Sequence, residues 1–143
     1  MSDSVEIHIA PTTFSVFIIE RFSGLQLLNL YGGPSAWARA GGTNQIDILF
    51  PDNFRDKLLR LWVRPELSEL AWSSPGRAVY GSGDLLLQEN AGGEVYDLIQ
   101  VSPGAYAIHF EKSGEEDGVD IYDLTLFDRQ SPVSHPSGPP TAT

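Results

Sequence analysis

The sequence predicts an all-β protein, an antiparallel β-sandwich of about eight short strands with at most one or two short helices. Three observations carry this. Apolar, β-branched and aromatic residues alternate with smaller or polar ones at a period of two in run after run. Pro-Gly, Gly-Ser-Gly and Asn/Asp/Gly clusters interrupt the runs at regular intervals, as strand-connecting turns do. Helical spacing is confined to a few short stretches.

Taken in order, Val5–Ile9 alternates cleanly and is a first strand, ended by Pro11. Thr13–Ile19 is a second, with Phe14, Val16 and Ile18 on one face. Phe17 and Ile19 make its other face apolar too, so it is expected at a central or covered position. Leu25–Leu30 fits either a strand or a helical turn. Tyr31–Thr43, rich in glycine and proline, reads as a loop with at most one short helix after Pro34. Gln45–Phe50 is a strand, and Lys57–Arg64 another, with Leu59, Leu61 and Val63 facing one way and Arg60, Trp62 and Arg64 the other. A helix over Asp52–Leu61 competes with the latter.

Leu67–Arg77 is mostly connection, with Trp72 expected to be buried. Asp84–Gln88 is a strand, and Asn90–Gly93 turns the chain into Glu94–Phe110, the strongest β signal present. There two apolar runs flank Ser102-Pro103-Gly104. Proline and glycine in that order suit a type II turn, which twists the wrong way for the tightest hairpin. The pair closes through a wider loop, or the turn is a corner between sheets. Lys112–Gly118 reads as a polar turn and Val119–Phe127 as the last strand. Residues 1–128 make one sandwich domain. The Pro/Ser/Thr-rich stretch 129–143 has almost no large apolar residue and is expected to be disordered.

The 143 residues suffice for one core, and there is no cysteine to supply a disulfide, thiolate site or thiol nucleophile. No basic, apolar leader opens the chain, and its apolar runs are too short to span a bilayer, so a cytoplasmic location without membrane contact is the expectation. The formal charge of −10 is concentrated. Asp84–Asp128 holds eleven acids against Lys112 alone, and the rest of the chain is balanced. Such a surface disfavours nucleic acid and attracts a basic partner; solubilisation is the plainer alternative.

Catalytic signatures are missing: there is no GxSxG, Walker A, HExxH or GxGxxG pattern. His8 and His109 fall at outward strand positions, and a metal or acid–base pair between them would lack an identifiable third ligand. Glu115, Glu116, Asp117, Asp120 and Asp123 offer oxygen ligands without EF-hand spacing, and Asp120 and Asp123 would point to opposite faces of a strand starting at Val119. No cofactor or metal is expected. Trp62, between Arg60 and Arg64 on one strand face, and Trp72 are candidates for stacking on a carbohydrate or other small ligand. Cation–π packing by those arginines is the alternative.

The Phe14-Ser15-Val16-Phe17 strand, the Gly83–Leu87 strand, the Val101–Ile108 segment with its Pro-Gly turn, and the terminal Val119–Phe127 strand together resemble the DNA-entry nuclease inhibitor (competence protein J) family and related small bacterial immunity-type β-sandwiches. That resemblance implies a small non-enzymatic protein that binds and blocks a nuclease or toxin. The acidic third of the chain suits such a partner. The candidate partner-binding residues are Asp84, Glu94, Asp97, Glu111, Glu115, Glu116, Asp117 and Asp120, and the alternative ligand-binding set is Arg60, Trp62, Arg64 and Trp72.

Overall fold

Ten strands arise from the alternating runs in the computed structural model, which describes residues 4–21, 36–41, 44–51, 53–64, 76–89 and 95–128. They are β1 (Val5–Ile9), β2 (Ser15–Glu20), β3 (Trp37–Gly41), β4 (Gln45–Leu49), β5 (Asp56–Arg64), β6 (Gly76–Tyr80), β7 (Asp84–Glu89), β8 (Val95–Gln100), β9 (Gly104–Glu116) and β10 (Val119–Asp128). No helix occurs among the described residues. The all-β class is as the sequence predicts, with more strands than the eight expected.

Hydrogen bonding runs continuously in the order β1-β5-β10-β9-β6-β3-β4-β2-β7-β8. The weakest link is β3 with β6, a parallel pairing of Ala40 with Gly76 and Gly41 with Arg77 only. At that narrow step the ribbon folds over, bringing β1-β5-β10-β9-β6 face to face with β3-β4-β2-β7-β8 as a sandwich. One core cluster draws inward-facing residues from all ten strands, among them Ile7, Ile18, Ile46, Leu59, Leu87, Ile99, Ile108 and Leu124. Ala38 and Ala40 of β3 and Ala78 and Tyr80 of β6 are the inward residues on either side of this step. β2, paired on both edges by β4 and β7, is buried on both faces, as its doubly apolar pattern predicts.

Several expectations are corrected. Trp37–Gly41 is a strand, not loop or helix: Ala38 and Ala40 face the core while Trp37 and Arg39 face away, a period of two hidden by small residues. Gly76–Tyr80 is likewise a strand. The antiparallel plan holds for seven pairings, but β5 runs parallel to β10 as β3 does to β6. β8 and β9 do not pair with each other. β8 pairs with β7, whereas Gly104 at the start of β9 pairs with Tyr80, so Ser102-Pro103-Gly104 is a corner between layers. Gly104 has φ 151°, and the Tyr106 hydroxyl donates to the Ser102 carbonyl at 2.5 Å, fastening the corner much as a tyrosine corner does in other sandwiches. Lys112–Glu116 is strand rather than turn. The β9–β10 connection is only Asp117-Gly118, both with positive φ (53° and 80°), the signature of a tight type I′ hairpin.

The expectations for 25–30, for most of the 31–43 loop, for Trp72 and its connection, for the turn 90–93 and Glu94 after it, and for the tail 129–143 lie outside the described residues.

Candidate functional site

The tip of the β9–β10 hairpin meets the segment leading into β5, and this end of the sandwich concentrates charge. On β10 the core face reads Asp120, Tyr122, Leu124, Leu126, so a carboxylate stands where the alternation would carry an apolar residue. Asp120 is 0 % exposed. It is not left alone: Arg55 Nε donates to Oδ1 at 2.7 Å, Asn53 Nδ2 approaches Oδ2 at 3.4 Å, and Lys112 Nζ lies 3.6 Å from Oδ1. Asp120 is paired in register with Lys57 of β5. Lys57 is 1 % exposed and donates to the carbonyls of Arg55, Pro11 and Ala10 at 2.9, 3.3 and 3.5 Å, over the rings of Phe14 and Phe50. Desolvation lowers the Lys57 pKa, partly offset by Asp120 and Asp56. The hydrogen bond that Arg55 donates to Asp120 keeps its guanidinium firmly charged.

A β-bulge builds the rest of the site. Tyr122 pairs with Lys112, but Ile121 pairs with Gly114, so Ser113 is an extra residue in β9. The slip brings Glu115 to the same face as Lys112, where strict alternation would send it to the other. Glu115 thereby accepts from Lys112 Nζ at 2.8 Å and from Arg55 Nη2 at 3.1 Å. The hydrogen bond that Lys112 donates to Glu115 raises the Lys112 pKa. Beneath this polar cap Tyr122 stacks on Phe110 (5.6 Å, 6°) and packs against Phe50 at 5.2 Å, its hydroxyl buried without a hydrogen-bond partner. Burial raises that phenol's pKa, and the Asp120 charge adds to the rise.

Two neighbouring features project outward. Glu116 and Asp117 are exposed at the hairpin tip and form no ion pair among the described residues. Phe54 is 65 % exposed with φ 51°, a left-handed conformation that costs a bulky L-residue about 1–2 kcal/mol. Its ring meets Phe14 edge-on at 5.3 Å and 83°. Asn53 Oδ1 accepts the Arg55 backbone N–H at 3.2 Å, so Phe54 sits between two residues each tied to Asp120.

The predicted acidic residues do not form one surface. Glu115, Glu116 and Asp117 gather at this tip, with Glu111 exposed farther along β9, 3.7 Å from His109. Asp120 belongs to the tip but is buried under Arg55, so it has no surface of its own to offer. Asp84 opens β7 at the opposite end, where it accepts from Gln100 Nε2 at 3.2 Å. Asp97 lies on β8 and accepts from the Leu98 N–H at 2.8 Å. Glu94 lies outside the described residues. Sequence reasoning missed Asn53, Phe54, Arg55 and Lys57, which precede or open β5. The one available signal was a lysine at an inward position of an apolar alternation.

The alternative set is partly assembled. Arg60 grips Asp123 through Nε at 2.6 Å and Nη2 at 2.8 Å and reaches Ser113 Oγ at 3.1 Å. Trp62 Nε1 donates to Asp123 at 3.0 Å, and the Arg64 guanidinium covers the Trp62 ring at 4.8 Å. One face and the N–H of Trp62 are thus already engaged within the protein, and Trp72 lies outside the described residues. Asp120 and Asp123 do point to opposite faces, so the five candidate oxygen ligands do not converge. Two strands, β5 and β10, separate His8 from His109. Among the described residues no three His, Asp or Glu side chains are grouped to hold a metal ion.

No protein-family model matches the chain, and no curated protein matches it. Among solved structures it is similar to the crystal structure of ComJ, inhibitor of the DNA degrading activity of NucA, from Bacillus subtilis, with a TM-score of 0.60 at 9 % sequence identity. The likeness covers 90 % of this chain and 98 % of that one. At such identity it establishes a shared fold.

Proposed function

We propose that this chain is a non-enzymatic, cytoplasmic protein-binding module of nuclease-inhibitor type, engaging a basic protein partner through the hairpin tip. The observation that carries the reading is the extent of the likeness: 98 % of ComJ is matched, so nothing substantial of that inhibitor's architecture is missing here. Charge supports it. Exposed Glu116 ends β9 and exposed Asp117 opens the two-residue turn after it, and carboxylates so placed steer and orient a cationic partner such as a nuclease. Glu115 contributes less than its charge suggests, because Arg55 and Lys112 already neutralise it. The net negative charge argues against contact with nucleic acid.

The test is a DNA-degradation assay with purified NucA and with purified nucleases encoded beside this chain's own gene, each with and without the full chain. Inhibition of one of them at stoichiometric concentration, weakened by Glu116→Lys and Asp117→Lys and by raised salt, is the expected result. If every nuclease cuts DNA at its unassisted rate, the reading is wrong. If inhibition is found but is indifferent to salt and to both reversals, the acidic tip is not the contact.

A further inference from the structure

We propose that Phe54 is the apolar anchor of the partner interface, inserted into an apolar pocket ringed by Lys or Arg on a basic protein. This rests on the inhibitor reading above and adds the residue that would dominate its affinity.

Neither folding nor solubility accounts for phenylalanine at this position. Glycine or asparagine adopts a φ of 51° with less strain, and a polar side chain suits 65 % exposure better. The ring's edge contact with Phe14 leaves most of it outside. The strained conformation nevertheless persists because both neighbours are fixed: Asn53 bonds the Arg55 N–H and Asp120, and Arg55 is held by Asp120 and Glu115. Strained residues held in this over-determined way cluster at ligand clamps and binding sites. The bulge at Ser113 serves the same end by turning Glu115 toward Arg55.

The occupant follows from what surrounds the ring. Through the Arg55–Glu115 pair, Phe54 adjoins a hairpin tip carrying Glu116 and Asp117 without ion-pair partners among the described residues. An exposed aromatic at the same end of the sandwich as exposed carboxylates is complementary to an apolar depression with cations on its border. Aromatic residues that enter such pockets, with charges around them, supply most of an interface's energy.

The experiment measures inhibition of DNA degradation, with whichever of the nucleases named above the wild-type chain inhibits, by Phe54→Gly and Phe54→Ala. Glycine relieves the backbone strain, so Phe54→Gly stays folded, checked by its thermal midpoint against wild type. Both variants are expected to need about 30-fold more protein for half-inhibition, with the salt dependence unchanged because no charge is altered. A loss below tenfold in both overturns the anchor while leaving the acidic-tip reading intact. If the wild-type chain inhibits no nuclease, that earlier reading fails and this one falls with it.

Discussion

Asp120→Asn probes the buried end of the network with little change of volume. Asparagine keeps one carbonyl oxygen for Arg55 Nε, now 2.7 Å from Oδ1 on the side that Lys112 also faces, but removes the negative charge and turns its amide NH2 toward Asn53 Nδ2, itself a donor. The charge-assisted hydrogen bond that Asp120 accepts is worth about 1.5–3 kcal/mol. The Lys112 contact, longer and from a side chain 40 % exposed, adds at most about 1 kcal/mol after solvent screening. Lys57 retains its three carbonyl acceptors, so it does not become an orphan. The sum is a loss of about 2–4 kcal/mol, a fall in thermal midpoint on the order of 10 °C for a chain of this size. Chemical denaturation followed by tryptophan fluorescence gives the free energy directly. In a cycle with Arg55→Ala the double variant should lose less than the two single losses together, because Arg55 no longer has a charge to neutralise. A stability within about 0.5 kcal/mol of wild type, or strict additivity, would show that the pair contributes nothing and that Phe54 is not held from below.

Three further outcomes follow from the same geometry. Tyr122→Phe removes a buried hydroxyl that has no partner, so unfolding free energy should stay level or rise by up to about 1 kcal/mol, whereas Tyr80→Phe removes a donor to the Ile18 carbonyl at 2.9 Å and should cost about 1–2 kcal/mol; denaturation curves that rank the two the other way would contradict the bonding described. Gly83→Ala should cost on the order of 3 kcal/mol or more, because a Cβ there would lie 1.9 Å from the Val101 carbonyl oxygen, a backbone atom that cannot turn aside; a normally stable variant would disprove the close approach. Burial pushes the Asp123 carboxyl up, but hydrogen bonds from Arg60, Trp62 and Ser113 outweigh it and hold the group below its ordinary range. With the folded pKa depressed, the stabilisation is fully present above roughly pH 4 and is lost as pH falls through the folded value; Arg60→Ala should flatten this acid limb, and an unchanged limb would remove Asp123 as its source.

The strands were legible because alternation is a local property. The inward Leu59 and Leu61, the two-faced β2 and the opposed directions of Asp120 and Asp123 all follow from a period of two. The site was not legible, because it depends on pairing. Lys112 and Glu115 share a face only through the extra residue at Ser113, and a bulge is a mismatch between two strands that neither sequence announces alone. Arg55 and Phe54 precede β5 in a stretch whose composition signals only a turn. The parallel alignment of β5 with β10, which sets Lys57 beside Asp120, joins segments far apart in the chain. The charge of the acidic third was readable as a sum. Its division between the Asp84 end and the Glu115–Asp117 tip was fixed by pairing, which sets Asp84 beside Gln100 near the start of β9 while Glu115–Asp117 lie at the far end of that strand.

The same side chains that close the open end of the sandwich also fix what it presents. A binding surface carried on a loose loop loses affinity to the cost of ordering it. Here Asp117-Gly118 is the tightest hairpin connection available, Arg55 and Lys112 hold Glu115, and Asn53 and Arg55 leave Phe54 little choice of direction. Replacing the cap by apolar residues could match its stability, since buried ion pairs seldom outdo good packing. It would release the Asn53–Arg55 segment, however, and with it the aim of Phe54. If the tip is the partner surface proposed above, the orientation the cap imposes matters more than any stability it adds, and Asp120→Asn should then raise the concentration needed for half-inhibition of the nuclease even at temperatures where the variant is fully folded.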